Sequence, residues 1–506
     1  MEETPKTIND SKLIAFLGIL TVPEMNRLDK FVVSPFFNDK KEVITLFQYL
    51  KRLHPTFEKD IYRRQIYNHL YPQNTCAKNQ PLDGRRDDEL RSMMFQLTKL
   101  VKQFLLYEAR NKNEVRSEQQ FAEILRTRGL IKYIPSIIKK AKNIQAKRPE
   151  GDAMYLHDKY LIAEVEHNYI RSAGRQKDRD YQPIITGFHY HALAGRLRVY
   201  AAALSAEKTL PKSYDYPMLE TLLNYLTTHD YAHIPIIDIY YRFCMLFRGK
   251  DIIKHYKRAY EILENRGKYF PHSELQYLYD LLLNFCNLQI NKGYLDYNRQ
   301  KFDIYQRTLP ENIWNEGKYL LRDHFILAVR SALSIKNIVG AREIIDVYGK
   351  ELHPEQKKSI VLLANVFLCL SERKYEEAEN TLIDMRSPPS GFYYGLYYRW
   401  IATQIYYELS VKKGGDYLRR LNNEIAKMDA YLRNAKISGR NKKLYSNYSN
   451  TLGRIYKMRF NRVNTPSMKR LENIKSDIEN PDKPLVSREW LLEKIKEVIA
   501  YWEKKR

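Results

Sequence analysis

The sequence predicts an all-α protein in which an N-terminal helical module precedes an α-solenoid of antiparallel helix pairs. Glycine is scarce, with 19 residues among 506, and no Asn-Gly or Asp-Gly turn joins alternating apolar strands. A short pattern recurs about every forty residues, which indicates stacked units. Four long segments also repeat apolar residues every three or four positions, the spacing of one helical face. These segments are residues 87–110, 153–172, 273–291 and 487–506.

The N-terminal element is predicted from an apolar run of ten residues, 13–22. This run is too short to span a bilayer, which takes about 20 residues. Glu2, Glu3 and Asp10 stand where a secretory signal would be basic, so we expect a buried first helix. A polar stretch at residues 72–88 is expected to be a linker at a domain boundary.

The recurring pattern consists of a large residue, two other residues, a second large apolar residue and then a small one. A small side chain lets a partner helix approach closely while its large neighbours fill the space on either side. We therefore expect the small residues to be buried between helices, and the cysteines among them to be inert thiols. They are Cys244, Cys286, Ala328, Ala364 and Ala402, at steps of 42, 42, 36 and 38 residues.

A second helix is predicted after each of these first helices. Another alanine follows three of the small positions by 13 to 15 residues, inside an amphipathic segment: Ala259, Ala341 and Ala378. Prolines at Pro271, Pro310 and Pro354 then precede the next unit, and a proline in the first helical turn loses no hydrogen bond. Each unit is expected to be helix, tight turn, helix and proline restart.

The unit resembles the tetratricopeptide repeat, whose first helix carries W-x-x-L-G-x-x-Y and whose second helix carries alanine and then proline. Leu452-Gly453 with Tyr456, and Leu363-Ala364 with Phe367, are the closest matches, and the likeness covers residues 235–460. Tyr, Leu, His or Ile replaces the family's tryptophan, and the period is about 40 residues rather than roughly 34. HEAT-type and other helical repeats are the alternatives.

Four parts follow from this organisation. We expect an N-terminal helical module at residues 1–110, a helical connecting region at 111–234, tetratricopeptide-like repeats at 235–465 and C-terminal capping helices at 466–506.

The resemblance implies a protein-interaction scaffold. In tetratricopeptide arrays the first helix of each pair lines the concave face, so the residues flanking the motif are the predicted partner-binding residues: Arg322, Lys358, Asn365 and Arg399. A lysine and an asparagine on one such helix suit an acidic or C-terminal peptide. Aromatic residues crowded between positions 393 and 407 are interpreted as packing between repeats or as a peptide groove.

Charge supports an alternative function. The formal net charge of +25 is concentrated at the ends, with +10 over residues 1–150, +2 over 151–390 and +13 over 391–506. Two runs, 124–149 and 433–470, contain no acidic residue. In the second run Lys443, Arg454 and Lys457 share one helical stripe, opposite an apolar one. This stripe is a candidate polyanion-binding face, which predicts a regulator that binds nucleic acid through its basic ends.

An enzyme is not predicted. The chain contains no phosphate-binding glycine loop, nucleophile elbow or H-E-x-x-H motif, so we expect no catalytic residue, no cofactor and no metal site. His229 and His233 stand four apart, but no third ligand is indicated. Four cysteines without a C-x-x-C pair, and no apolar stretch of transmembrane length, favour a cytoplasmic protein without membrane insertion.

Overall fold

The computed structural model describes residues 7–57, 60–75, 82–148, 153–175, 177, 179–210, 212–434, 439–460, 466–480 and 483–505. Helix accounts for 78% of the structure, with 23 α-helices in the described ranges, which confirms the all-α prediction. The chain forms two compact units: a first unit of Met1–Arg148 with Asp158–Ile184, and a second unit of Pro149–His157 with Ile185–Arg506. No described helix is long and apolar enough to cross a membrane.

Seven helices lie wholly in the first unit, and an eighth enters it from the second unit. They are α1 Lys12–Gly18, α2 Val22–Val33, α3 Lys41–Lys51, α4 Arg63–Leu70, α5 Gly84–Lys112, α6 Glu114–Thr127, α7 Ile134–Ala146 and α8 Ala153–Ser172.

The second unit contains the remaining helices and one short hairpin. The helices are α9 Gln182–Thr209, α10 Leu219–Thr228, α11 Pro235–Arg248, α12 Ile252–Arg266, α13 His272–Asn291, α14 Tyr297–Thr308, α15 Arg322–Ser334, α16 Ile338–Tyr348, α17 Pro354–Ser371, α18 Tyr375–Asp384, α19 Phe392–Lys413, α20 Asp416–Arg433, α21 Gly439–Phe460, α22 Met468–Glu479 and α23 Arg488–Glu503. Helix α9 begins within the last three residues of the first unit and continues into the second. The hairpin pairs β1 Asn315–Glu316 with β2 Tyr319–Leu320 in antiparallel register.

The N-terminal apolar run forms the predicted buried first helix, α1, in which Leu13, Ile14 and Leu17 are buried, and only Val22, the last residue of the run, lies in α2. Helix α1 ends at Gly18, and Thr21 starts α2 with a capping box. The Thr21 hydroxyl accepts the Glu24 backbone N–H at 3.4 Å, and the Glu24 carboxylate accepts the Thr21 N–H at 2.9 Å. These two bonds satisfy groups that have no partner within the helix, so a helix boundary is stable here.

The predicted linker at residues 72–88 does not separate two cores. Helix α5 begins at Gly84 inside this stretch, and its apolar side chains share one core with those of α1 to α4. Residues 76–81 of the linker, including Cys76, lie outside the described residues.

Helix pairs dominate the second unit. Each of α11, α13, α15, α17 and α19 packs on the helix that follows it, and contacts also join α11 to α13, α15 to α17, and α17 to α19. The five predicted small residues lie on these odd-numbered helices with 0 to 1% of their surface exposed, which confirms their predicted burial. Burial also raises the pKa of the Cys286 thiol to about 12, and both cysteines of the pattern are buried as expected.

Pro310 does not restart a helix, which corrects the predicted register at this point. Residues 310–321 form turns and the β1–β2 hairpin before α15 begins at Arg322. Asn312 has a left-handed backbone with φ of 54°, and the buried Trp314 indole donates to the Thr308 hydroxyl at 2.7 Å. The left-handed residue breaks helical geometry, and the anchored tryptophan holds the turn against α14.

The last helix packs back onto α19 and α21. The Trp490 indole donates to Glu408 at 2.8 Å, and Lys494 forms an ion pair with the same carboxylate at 2.8 Å. The Trp502 indole donates to the backbone carbonyl of Met458 on α21 at 2.9 Å. Residues 488–503 are therefore an integral part of the second unit.

Candidate binding site in the second unit

Arg322 and Arg399, two of the predicted partner-binding residues, lie against different tyrosines. The Arg322 guanidinium lies 4.8 Å from the ring centre of Tyr394 and also donates to the Ser390 hydroxyl at 3.2 Å. The Arg399 guanidinium lies 5.0 Å from the ring centre of Tyr431, and Glu424 is 4.0 Å away. Both arginines therefore have intramolecular contacts that a partner would have to share.

Lys358 and Asn365 lie two turns apart on one face of α17, here termed the Asn365 face. Lys358 is exposed, whereas Asn365 is half-buried in a cleft of about 410 Å³ that Arg342 and Glu372 also line. Phe367 follows Asn365 by two residues, or about 200° around the helix, and therefore points away from this face. The four predicted residues thus do not surround one pocket.

The opposite side of α17 contributes to a different cluster, which we term the Arg330 cluster: Arg330, Phe367, Tyr397, Trp400 and Tyr445. The Arg330 guanidinium lies 5.4 Å from the ring centre of Phe367, 4.9 Å from that of Tyr397 and 5.3 Å from that of Trp400. Tyr445 packs edge-on against Trp400 with 6.4 Å between ring centres. Four helices, α15, α17, α19 and α21, supply these side chains.

Three residues of the cluster are buried and two are half-buried. Phe367, Trp400 and Tyr445 are 6 to 8% exposed, while Arg330 and Tyr397 are half-buried. The guanidinium carbon lies within 5.4 Å of three aromatic ring centres, close enough for cation–π attraction to hold it in place. In the described part of the chain Arg330 has no carboxylate partner and donates no hydrogen bond. The arginine is held in place while its hydrogen-bond donors stay unused.

Lys301, on α14, is a second cation close to this cluster. Its ammonium donates to the Asn287 side-chain oxygen at 3.0 Å, and no described carboxylate forms an ion pair with it. Burial, together with repulsion from Arg330, lowers the pKa of Lys301 to about 8. The lysine is still mostly protonated at neutral pH, so two positive charges share this region.

His324 lies near Lys301, and Asp280 contacts His324. The Asp280 carboxylate is 3.6 Å from the His324 ring, which stacks on Trp314 with ring centres 3.7 Å apart. Burial lowers the pKa of His324 to about 4 and raises that of Asp280 to about 6. The Asp280 carboxylate forms no ion pair with Lys301 or Arg330.

The basic stripe on α21 is partly neutralised by the protein itself. Lys443 and Lys457 are exposed, but Arg454 forms an ion pair with Asp477 of α22 at 2.5 Å. The opposite side of the helix packs inward as expected, since Tyr448, Leu452 and Ile455 are fully buried. Residues 435–438 and 461–465 of the acid-free run lie outside the described residues.

The aromatic residues of α19 fall into two groups: some pack in the core, and others belong to the Arg330 cluster. Tyr394 donates to Asp323 at 2.5 Å, and Tyr407 packs between Phe460 and Trp490, so these rings serve the core. Tyr397 and Trp400 contact Arg330 instead.

Sequence reasoning missed both cations of the site. Arg330 had a usable signal, because it is the only charged side chain in the apolar segment 324–335 apart from a histidine at its start. Lys301 had none, since lysines and arginines are frequent in the segment around it. Neither His229 nor His233 belongs to a group of three or more metal-binding side chains among the residues described.

No family model matches the chain, and no curated protein or solved structure shows significant similarity to it. Function is therefore inferred from the geometry of the second unit.

Proposed function

We propose that the second unit is a tetratricopeptide-like α-solenoid that works as a non-catalytic interaction scaffold and binds an acidic peptide segment of a partner protein. The pairing of successive helices supports the repeat interpretation, as does the burial of one small residue on each of the five odd-numbered helices from α11 to α19. A cytoplasmic location is part of this proposal and agrees with the free thiols of Cys244, Cys286 and Cys369.

The observation that carries the proposal is the Arg330 cluster. Arginine and aromatic residues dominate the binding energy of protein interfaces because they combine apolar area with directed hydrogen bonds. Here a half-buried arginine is already fixed on three rings, so little side-chain entropy remains to be lost when a partner binds. Its unpaired charge, together with that of Lys301, favours a negatively charged segment.

The experiment compares the two sides of α17 in the full chain. Wild type, Lys301→Gln with Arg330→Gln, and Lys358→Ala with Asn365→Ala are each immobilised and exposed to native cell extract. We expect a specific protein to be retained by the wild type and by the Lys358/Asn365 variant, and lost from the Lys301/Arg330 variant. Circular dichroism of each variant checks that the helices are intact.

Two results would contradict the proposal. Retention by all three forms would place the partner away from both sides of α17. Loss only from the Lys358/Asn365 variant would move the binding site to the Asn365 face, as the repeat resemblance implies.

Nucleic-acid binding through Lys443, Arg454 and Lys457 has less support, because Asp477 already neutralises one of the three charges. It stays an alternative prediction with its own test in the Discussion.

A further inference from the structure

Lys301 and Arg330 form a pair of cations that has no counter-ion among the residues that the structure describes. They lie on neighbouring helices, α14 and α15, and the charge of Arg330 contributes to the lowered pKa of Lys301. Partly buried positive charges are costly unless an anion or a carboxylate completes their environment. Within the described ranges, no carboxylate pairs with either residue.

The other groups around Lys301 do not supply the missing negative charge. Cys286 faces it from α13, but burial keeps that thiol protonated by raising its pKa to about 12. His324, from α15, is neutral at pH 7 because its pKa is lowered to about 4. Asn287 contributes an uncharged amide oxygen. The Asp280 carboxylate, whose pKa burial raises to about 6, is mostly ionised at pH 7, but it contacts His324 and forms no ion pair with Lys301 or Arg330. The two cations therefore carry about two positive charges at neutral pH that no described carboxylate pairs with.

The donor geometry narrows the class of anion. Arginine presents a planar fork that binds two oxygens of one phosphate, and lysine adds a point charge with three donors, of which Asn287 uses one. A carboxylate would neutralise one of the two charges, whereas a phosphate monoester carries close to two at pH 7.

We propose that Lys301 and Arg330 form a binding site for a dianionic phosphate monoester group, with the half-buried ring of Tyr397 beside it. The carrier of that group rests on the proposed function: a phosphorylated peptide segment is the source to which we commit. A free phosphorylated small molecule has the same charged group and is distinguished by the experiment.

The test measures binding to the full chain at pH 7 by calorimetry. The probes are inorganic phosphate, acetate, and one short peptide with and without phosphoserine. We expect phosphate to bind at least ten times more tightly than acetate, and the phosphopeptide to bind more tightly than phosphate. Lys301→Gln with Arg330→Gln should weaken phosphate binding at least tenfold, whereas the charge-matched control Lys358→Gln with Lys457→Gln should leave it unchanged.

A second measurement needs no variant. The wild-type chain is treated with an amine-reactive reagent at pH 8.5, and each lysine's modification is measured by mass spectrometry. Bound phosphate should slow the modification of Lys301 at least fivefold, and that of exposed Lys358 and Lys457 not at all.

The outcomes separate this proposal from the scaffold function. Absent phosphate binding, equal binding of acetate, or unchanged binding by the Lys301/Arg330 variant would overturn the phosphate site, even if a partner protein is still retained. Phosphate binding at Lys301 with no gain from the peptide would keep the phosphate site but reject the peptide as its carrier.

Discussion

Two lysines of the second unit, the buried Lys494 and the half-buried Lys301, have opposite surroundings. The Lys494 side chain is 3% exposed and lies within 3.2 Å of three carboxylates, those of Glu408, Glu493 and Glu497. Burial alone would lower the pKa of Lys494, but hydrogen bonds to Glu408 and Glu497 more than offset this and raise it. Lys301 has one amide oxygen as partner and a lowered pKa.

The difference shows where a strongly basic chain has charge available for a ligand. At Lys494 the protein supplies its own anions, and the ion pairs join α23 to α19. At Lys301 and Arg330 no carboxylate of the described residues forms an ion pair. A net charge of +25 therefore says little about the position of a binding site, because many cations are already paired within the fold.

The largest expected effect on the free energy of unfolding comes from replacing Lys494, the lysine whose charge is neutralised within the protein. Lys494→Met leaves the Glu408 carboxylate buried without its cation, and we expect the second unit to lose about 3–5 kcal/mol of unfolding free energy. Lys301→Met removes a cation without a counter-ion and should be neutral or stabilising. Urea unfolding followed by tryptophan fluorescence measures both changes, since all four tryptophans, Trp314, Trp400, Trp490 and Trp502, lie in the second unit.

A double variant sharpens this contrast. Lys494→Met with Glu408→Met should recover part of the loss, because the carboxylate left unpaired is also removed. Equal destabilisation by Lys494→Met and Lys301→Met would contradict the inferred difference between a lysine with carboxylate partners and a lysine without them.

The next effect tests the helix packing that positions the Arg330 cluster. Ala364 is fully buried on α17, three residues before Phe367. Ala364→Leu should cost about 1–3 kcal/mol, since the larger side chain forces neighbouring side chains away from their preferred rotamers. Lys358→Ser, on the exposed side of the same helix, should be nearly neutral. Identical urea midpoints for Ala364→Leu and wild type would contradict the close helix approach at this position.

A smaller effect is expected from pH. Lys301 with a pKa of about 8 loses its proton in the free site as pH rises, while a bound dianion keeps that proton in place. Phosphate affinity should therefore fall by about tenfold per pH unit above pH 8, because binding then requires uptake of one proton. Calorimetry at pH 7, 8, 9 and 9.5 measures this, and Lys301→Arg should remove the dependence. Affinity that stays constant up to pH 9.5 in the wild type would show that Lys301 is not part of the site.

The sequence predicts those features that depend on local spacing. Apolar periodicity located the helices, and the alternation of large and small residues located Ala328, Ala364 and Ala402 as buried positions. The site depends on contacts between distant segments, with Arg330 on α15 meeting Phe367 on α17 and Trp400 on α19. The tetratricopeptide register predicts Asn365 as a partner-binding residue. Phe367, two residues later on α17, contacts Arg330, so the Asn365 and Phe367 side chains lie on opposite sides of that helix.

The smallest expected effect concerns the basic stripe on α21 and extends the comparison to the protein surface. Arg454 forms an ion pair with Asp477, which also accepts a hydrogen bond from Lys483 at 2.7 Å. Lys443 and Lys457, in contrast, are exposed to solvent. Each phosphate contact on duplex DNA contributes a slope of about −0.9 in log K against log salt. Two free lysines therefore predict a slope no steeper than about −1.8 for mixed-sequence DNA, measured by fluorescence anisotropy between about 50 and 200 mM salt. Changing Lys443, Arg454 and Lys457 to glutamine should remove this slope, and Asp477→Asn should steepen it by about 0.9 by releasing Arg454. If the wild type and the Asp477 variant both show no binding at about 50 mM salt, where electrostatic binding to DNA is strong, the stripe is a solvated face and the nucleic-acid alternative is wrong.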